Sequence, residues 1–389
     1  MDPKKAMPNA TPLSPSSSSS AQSTSPPMAV APIILAIETS CDETACAIVD
    51  SAGSILAEQV FSQMEHAPFG GVIPEIAARN HLSLLPSMLE QTLAASALKV
   101  ESLTAIAAST GPGLIGGLIV GSTLGKGLAM AWQKPFIAIN HIEAHALTPR
   151  LPLPHTLRHT PRVDFPYLLF LASGGHCQCI AVKGIGDYRK LGGTVDDAAG
   201  EAFDKVAKML GLGWPGGAAL EALAKEGNPK AYPLPHPMVG RAGCDFSFSG
   251  LKTSVSHLLM PYGHDPLPRQ MAADIAASFQ YAVTHTIEDR LTHALALFPQ
   301  ATALVTAGGV AANMAIRATL ADLAARHNKA FMAPPLRLCT DNAVMVAWCA
   351  QEIWQAAQKK GIKLADRDGM AARPRPRWPL EELRQRFSA

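Results

Sequence analysis

One local pattern occurs twice in this chain, and it limits the available folds more than any other feature. Residues 33–37 form an apolar run, a turn of small and acidic residues follows at 38–44 (ETSCDET), and residues 45–49 are apolar again. Residues 167–171 are apolar, 172–176 read ASGGH, and 177–182 return to apolar composition. Short apolar runs bounded by turn residues predict buried strands. Each copy therefore predicts a hairpin with hydroxyls, glycines or carboxylates at its tip. An ordinary polar turn has much the same composition, but backbone N–H groups at such a tip can hold a phosphate, and carboxylates there a cation. A third unit comes late: an apolar run at 303–306, AGGVAAN at 307–313, then a helix through Arg317 and Leu320. Glycines between a strand and a helix start suit a phosphate or an adenosine group. The order of the three along one chain says more than any of them alone.

The 389 residues suffice for two domains with substantial cores. Hydrophobic residues make up 48% and charged residues 16%, so much of the chain is buried and its surface lightly charged. A formal net charge of +2 gives no global signal for nucleic acid and leaves a local basic patch open. Seven cysteines, an odd number without regular spacing, argue against a disulfide scaffold and for a reducing compartment. Cys177 and Cys179, two apart in an expected strand, share a face and read as core thiols. Residues 1–31 are Ser- and Pro-rich and too poor in apolar residues to pack, which predicts a disordered extension. No apolar stretch follows Lys4 and Lys5, as a secretory signal requires, and the segment lacks the arginines usual in a transit peptide. A bacterial cytoplasm is expected, with an organelle as the alternative.

Residues 141–145 (HIEAH) follow the apolar segment 135–139 and have the composition of a helix start. On a helix, side chains four apart lie one above the other, roughly 5–6 Å apart at Cβ, so His141 and His145 can grip one metal ion from one face. Glu143 is turned about 200° from His141 by the 3.6-residue period and points elsewhere. The motif is therefore not the H-E-x-x-H of a zinc protease. His66 and His81 stand alone and read as hydrogen-bonded surface or core residues.

Two helices carry further signals. From residue 70 to 98 the pattern is helical, with Ile76, Leu82, Leu85 and Leu89 on its apolar face. After a strand at 105–110, Gly113, Gly117, Gly121 and Gly125 fall four apart. Each costs about 1 kcal/mol of helix propensity relative to Ala. The stripe is expected to pack closely on a neighbouring helix or a partner subunit. Lys126 and the density of glycine argue against a membrane span. In the helix at 197–210, Ala199, Phe203, Val206 and Leu210 form the buried stripe. The pairs Glu201–Lys205 and Asp204–Lys208 fit a salt-bridged solvent face.

These segments, taken together, resemble the actin-like ATPase superfamily and, more closely, the TsaD family of tRNA threonylcarbamoyladenosine transferases. The resemblance is carried by residues 37–50, HIEAH at 141–145, LASGGH at 171–176 and DDAAGEAFDKVAKMLGLGWPGG at 196–217. DFSFSGLKT at 245–253, TAGGVAANMAIR at 306–317 and CTDNAVM at 339–345 complete it. It covers roughly residues 32–350. It implies an α/β protein of two duplicated, ribonuclease-H-like actin-type domains with a cleft between them. The first domain would span 32–145, completed by 330–360, and the second 146–329. A basic C-terminal tail would occupy 361–389.

The resemblance also implies roles. His141, His145 and Asp341 would hold one Fe(2+) per subunit, with zinc fitting the same ligands. Leu171, Ala172, Ser173, Gly174, Gly175, Asp204, Gly217 and Asn313 would bind substrate. Asp341 taken alone fits a cap before the apolar stretch 343–350, and Asn313 fits a helix N-cap. The reaction implied is acyl transfer from threonylcarbamoyl-AMP to the exocyclic amine of the adenosine just after the anticodon, in tRNAs reading codons that start with A. No general base is assigned; His176 and Glu43 are the candidates. The tRNA would be held through phosphates, with Lys183, Arg189, Lys190, Arg241, Lys252, Arg373, Arg375 and Arg377 as candidate contacts or plain surface charges. Family members work with a shorter TsaB-like paralogue and a small TsaE-like ATPase, and the glycine stripe is the candidate contact for the paralogue. A small-molecule kinase of the same superfamily, a nucleotide-dependent binding module and a metalloprotease are the competing readings.

Overall fold

Strand β1 (Ile33–Glu38) is apolar on both faces, and a strand of that kind belongs in the middle of a sheet. In the computed structural model, which describes residues 31–152, 163–263, 266–364 and 369–387, it lies between β2 (Glu43–Asp50) and β4 (Ala105–Gly111). Strands β3 (Ile55–Ser62) and β5 (Phe136–Asn140) complete a five-stranded sheet in the order β3-β2-β1-β4-β5. β1, β2 and β3 are joined antiparallel, whereas β1–β4 and β4–β5 are parallel. Parallel neighbours require crossovers. These are α1 (Pro74–Ser96), between β3 and β4, and α2 (Ile115–Ala131), between β4 and β5.

The second apolar pair builds the same sheet again. β6 (Tyr167–Ala172), β7 (Cys177–Gly184) and β8 (Asp187–Gly193) are antiparallel, and β9 (Ala303–Ala307) and β10 (Ala330–Met332) add on in parallel. The order β10-β9-β6-β7-β8 matches the first sheet strand for strand, β6 taking the place of β1. A short helix, α3 (His141–Leu147), leaves β5. Helices α4 (Ala199–Met209), α5 (Gly217–Ala224), α6 (Ser249–Leu259) and α7 (Arg269–Leu297) fill the connection from β8 to β9, and α8 (Met314–Arg326) links β9 to β10. α9 (Ala343–Lys359) returns to the first sheet, its Ala343, Val344 and Ala347 sharing a core with Ile34, Ala36, Ala45 and Ala47. No helix among the described residues is long and apolar enough to cross a membrane.

The glycine stripe packs inside this chain rather than on a partner. A Cβ at Gly117 would lie 2.2 Å from the carbonyl oxygen of Thr39, one at Gly121 2.2 Å from Thr39 Oγ1, and one at Gly125 2.9 Å from Phe136. Gly113 abuts Ser40 in the same way, at 2.6 Å from its carbonyl oxygen. The stripe thus lets α2 lie directly on the first hairpin tip and the sheet behind it. The apolar face of α1 also differs from its reading: Ala77, His81, Leu85, Met88, Leu89 and Thr92 are buried, while Leu82 is exposed. Leu82 lies about 100° round from His81, just past the edge of the buried stripe.

The segment 369–387, read as part of a basic tail, folds back on the body. Arg375 N–H donates to Thr110 O (2.7 Å), and Asn140 Nδ2 donates to Trp378 O (3.0 Å). Leu380 and Leu383 join the core of the second sheet beside Tyr188. The expected N-terminal extension, up to residue 30, lies outside the described residues.

Candidate active site

Four separate elements converge where β1 and β5 end. β5 is fully buried and stops at Asn140, whose side chain accepts from the N–H groups of Ile142 (2.9 Å) and Glu143 (3.2 Å). That N-cap starts α3 with His141 as its first residue. Every residue of α3 is buried, because Ile142 and Ala146 pack toward the second sheet and Ala144 and Leu147 toward the first. The two imidazoles therefore sit in the seam between the sheets, 4.7 Å apart at their centroids and perpendicular.

Asp341 arrives from the turn before α9. The cap of that helix is its neighbour Asn342, which accepts from Met345 N–H (2.9 Å), so the Asp341 carboxylate is not needed as a cap. Its Oδ1 lies 3.0 Å from His145 Nε2 and 3.6 Å from His141 Nε2. One ligand atom from each of the three residues falls within 4.8 Å of the others. Burial pushes the Asp341 carboxyl up, but the His141 charge and the His145 hydrogen bond outweigh it and hold it below the ordinary range. His141, pushed down by burial, is drawn up by Asp341 and Glu38 to about 9. Two imidazole nitrogens and a carboxylate oxygen suit a borderline divalent metal such as iron or zinc. The surroundings fit as well: the far nitrogen of His141 meets a buried carboxylate, as the second nitrogen of a ligating histidine normally does.

Composition and spacing alone do not distinguish that carboxylate, Glu38, from its acidic neighbours in the turn. Its position as the last residue of a buried apolar strand, where burying a charge is costly, was the available signal. Glu43, a candidate base, is pushed well up by burial and by the neighbouring Asp341 and Asp42, which favours its protonated form. His176, the other candidate, sits 6.2 Å from His141 at the ring centroids. Burial, with His141 and His145, lowers it to about 4, so its ring is neutral near pH 7. Glu143 points away from His141, His145 and Asp341 and bonds Tyr188 and Arg386. His66 and His81 are hydrogen-bonded core residues, His81 to Thr44 Oγ1 (2.8 Å) and to the Cys41 carbonyl (3.0 Å).

The expected substrate residues form a second, connected row. In the turn after β6, Ser173 N–H donates to His176 O (2.7 Å) and Ser173 Oγ accepts from His176 N–H (3.1 Å). Nothing stands within 4 Å of where Gly174 or Gly175 would carry a Cβ. Leu171 and Ala172 belong to β6, and their side chains are wholly in the core, which leaves the turn itself to face a ligand. The first turn of α4 rests on this turn, Gly200 N–H donating to Ser173 O (3.2 Å). Asp204, one turn further on, accepts from Gly216 N–H (2.8 Å). Burial raises its carboxyl, against the N–H groups of Gly216 and Gly217. Glu201, not Asp204, makes the salt bridge on this face, with Lys205 at 2.6 Å. Space is open at Gly217. α5 then holds the start of α8, Glu221 Oε1 accepting from Met314 N–H (2.8 Å). Asn313 caps α8 by accepting from Ile316 N–H (3.0 Å), and its Nδ2 donates to Gln280 (2.9 Å). Gly308 is required here: with φ of +91°, its Cβ position is 2.3 Å from Ala172 O, and this contact lays the β9 turn against the β6 turn.

The candidate tRNA contacts are dispersed. Lys183, Arg189, Lys190, Arg241, Arg373 and Arg377 are exposed. Lys252 lies 3.7 Å from Asp197, and Arg375 pairs with Glu382 at 2.6 Å. All seven cysteines are free thiols, and Cys177 and Cys179 are in the core.

Two sheets of one strand order, each opened by a small-residue turn at the corresponding strand end, make this an α/β protein of the actin-like ATPase fold. T. kodakarensis HypF shares that fold with a TM-score of 0.55 at 14% identity, over 85% of this chain and 48% of its own. The sequence profile of the TsaD family, tRNA N6-adenosine threonylcarbamoyltransferase, matches residues 54–348. A Gluconobacter oxydans protein of that name is 59% identical over 367 residues, 93% of this chain and 97% of its own. A namesake from Granulibacter bethesdensis is 58% identical over 353 residues, 90% and 93% of the two chains. The chain belongs to the tRNA N6-adenosine threonylcarbamoyltransferase family.

Proposed function

We propose that this protein transfers the threonylcarbamoyl group from threonylcarbamoyl-AMP to N6 of the adenosine that follows the anticodon, in tRNAs reading codons that start with A. The reading is carried by the family match over residues 54–348, within which His141 and His145 stand beside Asp341. The new N6–carbonyl bond forms as the carbonyl–phosphate bond breaks. AMP leaves with the electron pair, and the amine loses a proton.

The exocyclic amine is a weak nucleophile, so alignment carries much of the rate. The N–H groups of Gly174 and Gly175 would hold the phosphate that becomes AMP; that of Ser173 is already given to His176 O within the turn. A single well-aimed donor is worth roughly 3–4 kcal/mol where charge develops. Asp204 would receive a ribose hydroxyl or the threonyl amine, and the open space at Gly217 and the Asn313 amide would receive the nucleoside. His141, His145 and Asp341 would hold an iron ion, with zinc as the alternative. Such an ion, when bound, polarises donor oxygens and orients the donor. His176, with its ring neutral near pH 7, and Glu43 are the two candidates for taking the amine proton, and burial makes His176 a weak base.

A shorter paralogue and a small ATPase are the expected partners, in a bacterial cytoplasm. The exposed Lys183, Arg189 and Lys190 of the second sheet are candidate contacts for tRNA phosphates, Arg189 and Lys190 on opposite faces of β8.

The test is incubation of the full chain with threonylcarbamoyl-AMP and unmodified tRNA, with and without the two partners, followed by nucleoside mass spectrometry. Threonylcarbamoyladenosine from wild type and its loss in His141→Ala is the expected result. No product even with partners present would refute the assignment.

A further inference from the structure

We infer that Glu38 is a positioning residue for the metal site: it holds His141 with its proton on Nδ1, so that the lone pair of Nε2 faces Asp341. The inference rests on the reading of His141, His145 and Asp341 as ligands. Glu38 is wholly buried at the end of β1 and 103 residues from His141. Its Oε1 accepts from the N–H of Ser40 at 2.6 Å, and its Oε2 accepts from Ser109 Oγ. The same Oε2 lies 3.3 Å from His141 Nδ1, and Ser40 Oγ lies 3.0 Å from that nitrogen.

An ionised carboxylate can only accept, so a hydrogen bond between Oε2 and Nδ1 requires the proton on Nδ1. The neutral ring then has its lone pair on Nε2, the nitrogen 3.6 Å from Asp341 Oδ1. The geometry matches the carboxylate–histidine–metal arrangement by which outer groups fix a ligand's tautomer and ring plane. The two histidines are not equivalent in this respect. Nδ1 of His145 is buried with no hydrogen-bond partner among the described residues, so its orientation depends on Asp341 and the backbone of α3. His141 is thus the preset ligand, and Glu38 is what presets it.

Glu38→Gln inverts the arrangement at nearly constant volume. The Ser40 N–H is a fixed donor and keeps the amide oxygen on its side, which turns the amide NH2 toward His141. Nδ1 must then accept, and the proton moves to Nε2, where a metal has to displace it.

The experiment uses the full chain, metal-free, with Zn(II) titrated against a chromophoric chelator. Long-range 1H–15N spectra of histidine-labelled protein, recorded well above pH 9 so that the metal-free His141 ring is neutral, report the tautomer, the His141 signals being identified by their loss in His141→Ala. We expect Glu38→Gln to weaken Zn(II) binding about 10- to 100-fold, the usual effect of losing an outer partner, and to change His141 from the Nδ1–H to the Nε2–H form. Glu38→Asp keeps a carboxylate and should keep the Nδ1–H form, with an affinity between the other two. If wild type binds Zn(II) through His141 while Glu38→Gln binds within about twofold of it and shows the same tautomer, the role of Glu38 is refuted and the metal site stands. An Nε2–H form in Glu38→Asp refutes that role as well, and serves if the Gln variant does not fold. Wild type binding no more Zn(II) than His141→Ala refutes the metal reading itself.

Discussion

Glu143 sits between the two histidines of the α3 motif but does a different job, and its replacement tests the architecture of the seam. Its Oε1 accepts from Tyr188 OH at 2.9 Å, and its Oε2 accepts from Arg386 Nη1 at 2.8 Å. Glu143 and Tyr188 are fully buried, and Arg386 is 5% exposed. The pair joins the end of the first sheet's α3 to β8 of the second sheet and to the C-terminal segment, 243 residues away. Removing one partner of a buried ion pair leaves the other charge desolvated, which costs about 3–5 kcal/mol. Arg386 keeps its bond to Ala138 O (3.0 Å), which offsets part of that loss. We expect Glu143→Ala to lose roughly 3–4 kcal/mol in urea unfolding followed by circular dichroism. Glu143→Gln, which can still accept from Tyr188, should lose less. Replacing both partners, as in Glu143→Leu with Arg386→Met, should cost much less than the sum of the single changes, because apolar groups of similar volume tolerate such a site. A loss under about 1 kcal/mol for Glu143→Ala, or simple additivity in the double variant, would show that the pair is not what holds the seam.

The glycine stripe yields a test that separates folding from assembly. Gly117→Ala would place a methyl 2.2 Å from Thr39 O, a backbone atom, and α2 must shift away from the hairpin tip. Thermal unfolding of the isolated chain should fall by several degrees, whereas unchanged stability with loss only of partner binding would return the stripe to an interface. Asp196 caps α6 from outside, accepting from Phe248 N–H (2.9 Å), Ser249 N–H (3.4 Å) and the hydroxyls of Ser247 (2.5 Å) and Ser249 (2.6 Å). Asp196→Ala should cost about 1 kcal/mol, as other cap losses do. Burial pushes this carboxyl up, but its hydrogen bonds hold it below the ordinary value. Its stabilisation is therefore complete above about pH 4 and disappears as pH falls through the lowered value, so wild type and variant should converge in acid unfolding. A gap that persists under acid conditions would refute the capping role.

The sequence by itself determined the features that are written locally. Two apolar–turn–apolar units predict two hairpins, because strands announce themselves in short buried runs. The four-residue spacing of His141 and His145 predicts a shared face, because helix geometry acts within one turn. The buried stripe of α4 follows from the same rule, and all four of its residues are buried. Tertiary structure decided everything that depends on distant partners. Asp341 lies 196 residues from His145, and its neighbour Asn342 had to take the cap before its carboxylate was available. The glycines of α2 signalled close approach, but only the fold shows that the approaching surface is Thr39 and Phe136 of the same chain. Glu38 could not be told from any residue at a strand end until β1, β4 and β5 lay side by side and brought Ser109 and His141 to it. Periodicity reports which face of an element is buried. What that face meets is settled by sheet order and crossover, and neither leaves a signature in any short stretch of sequence.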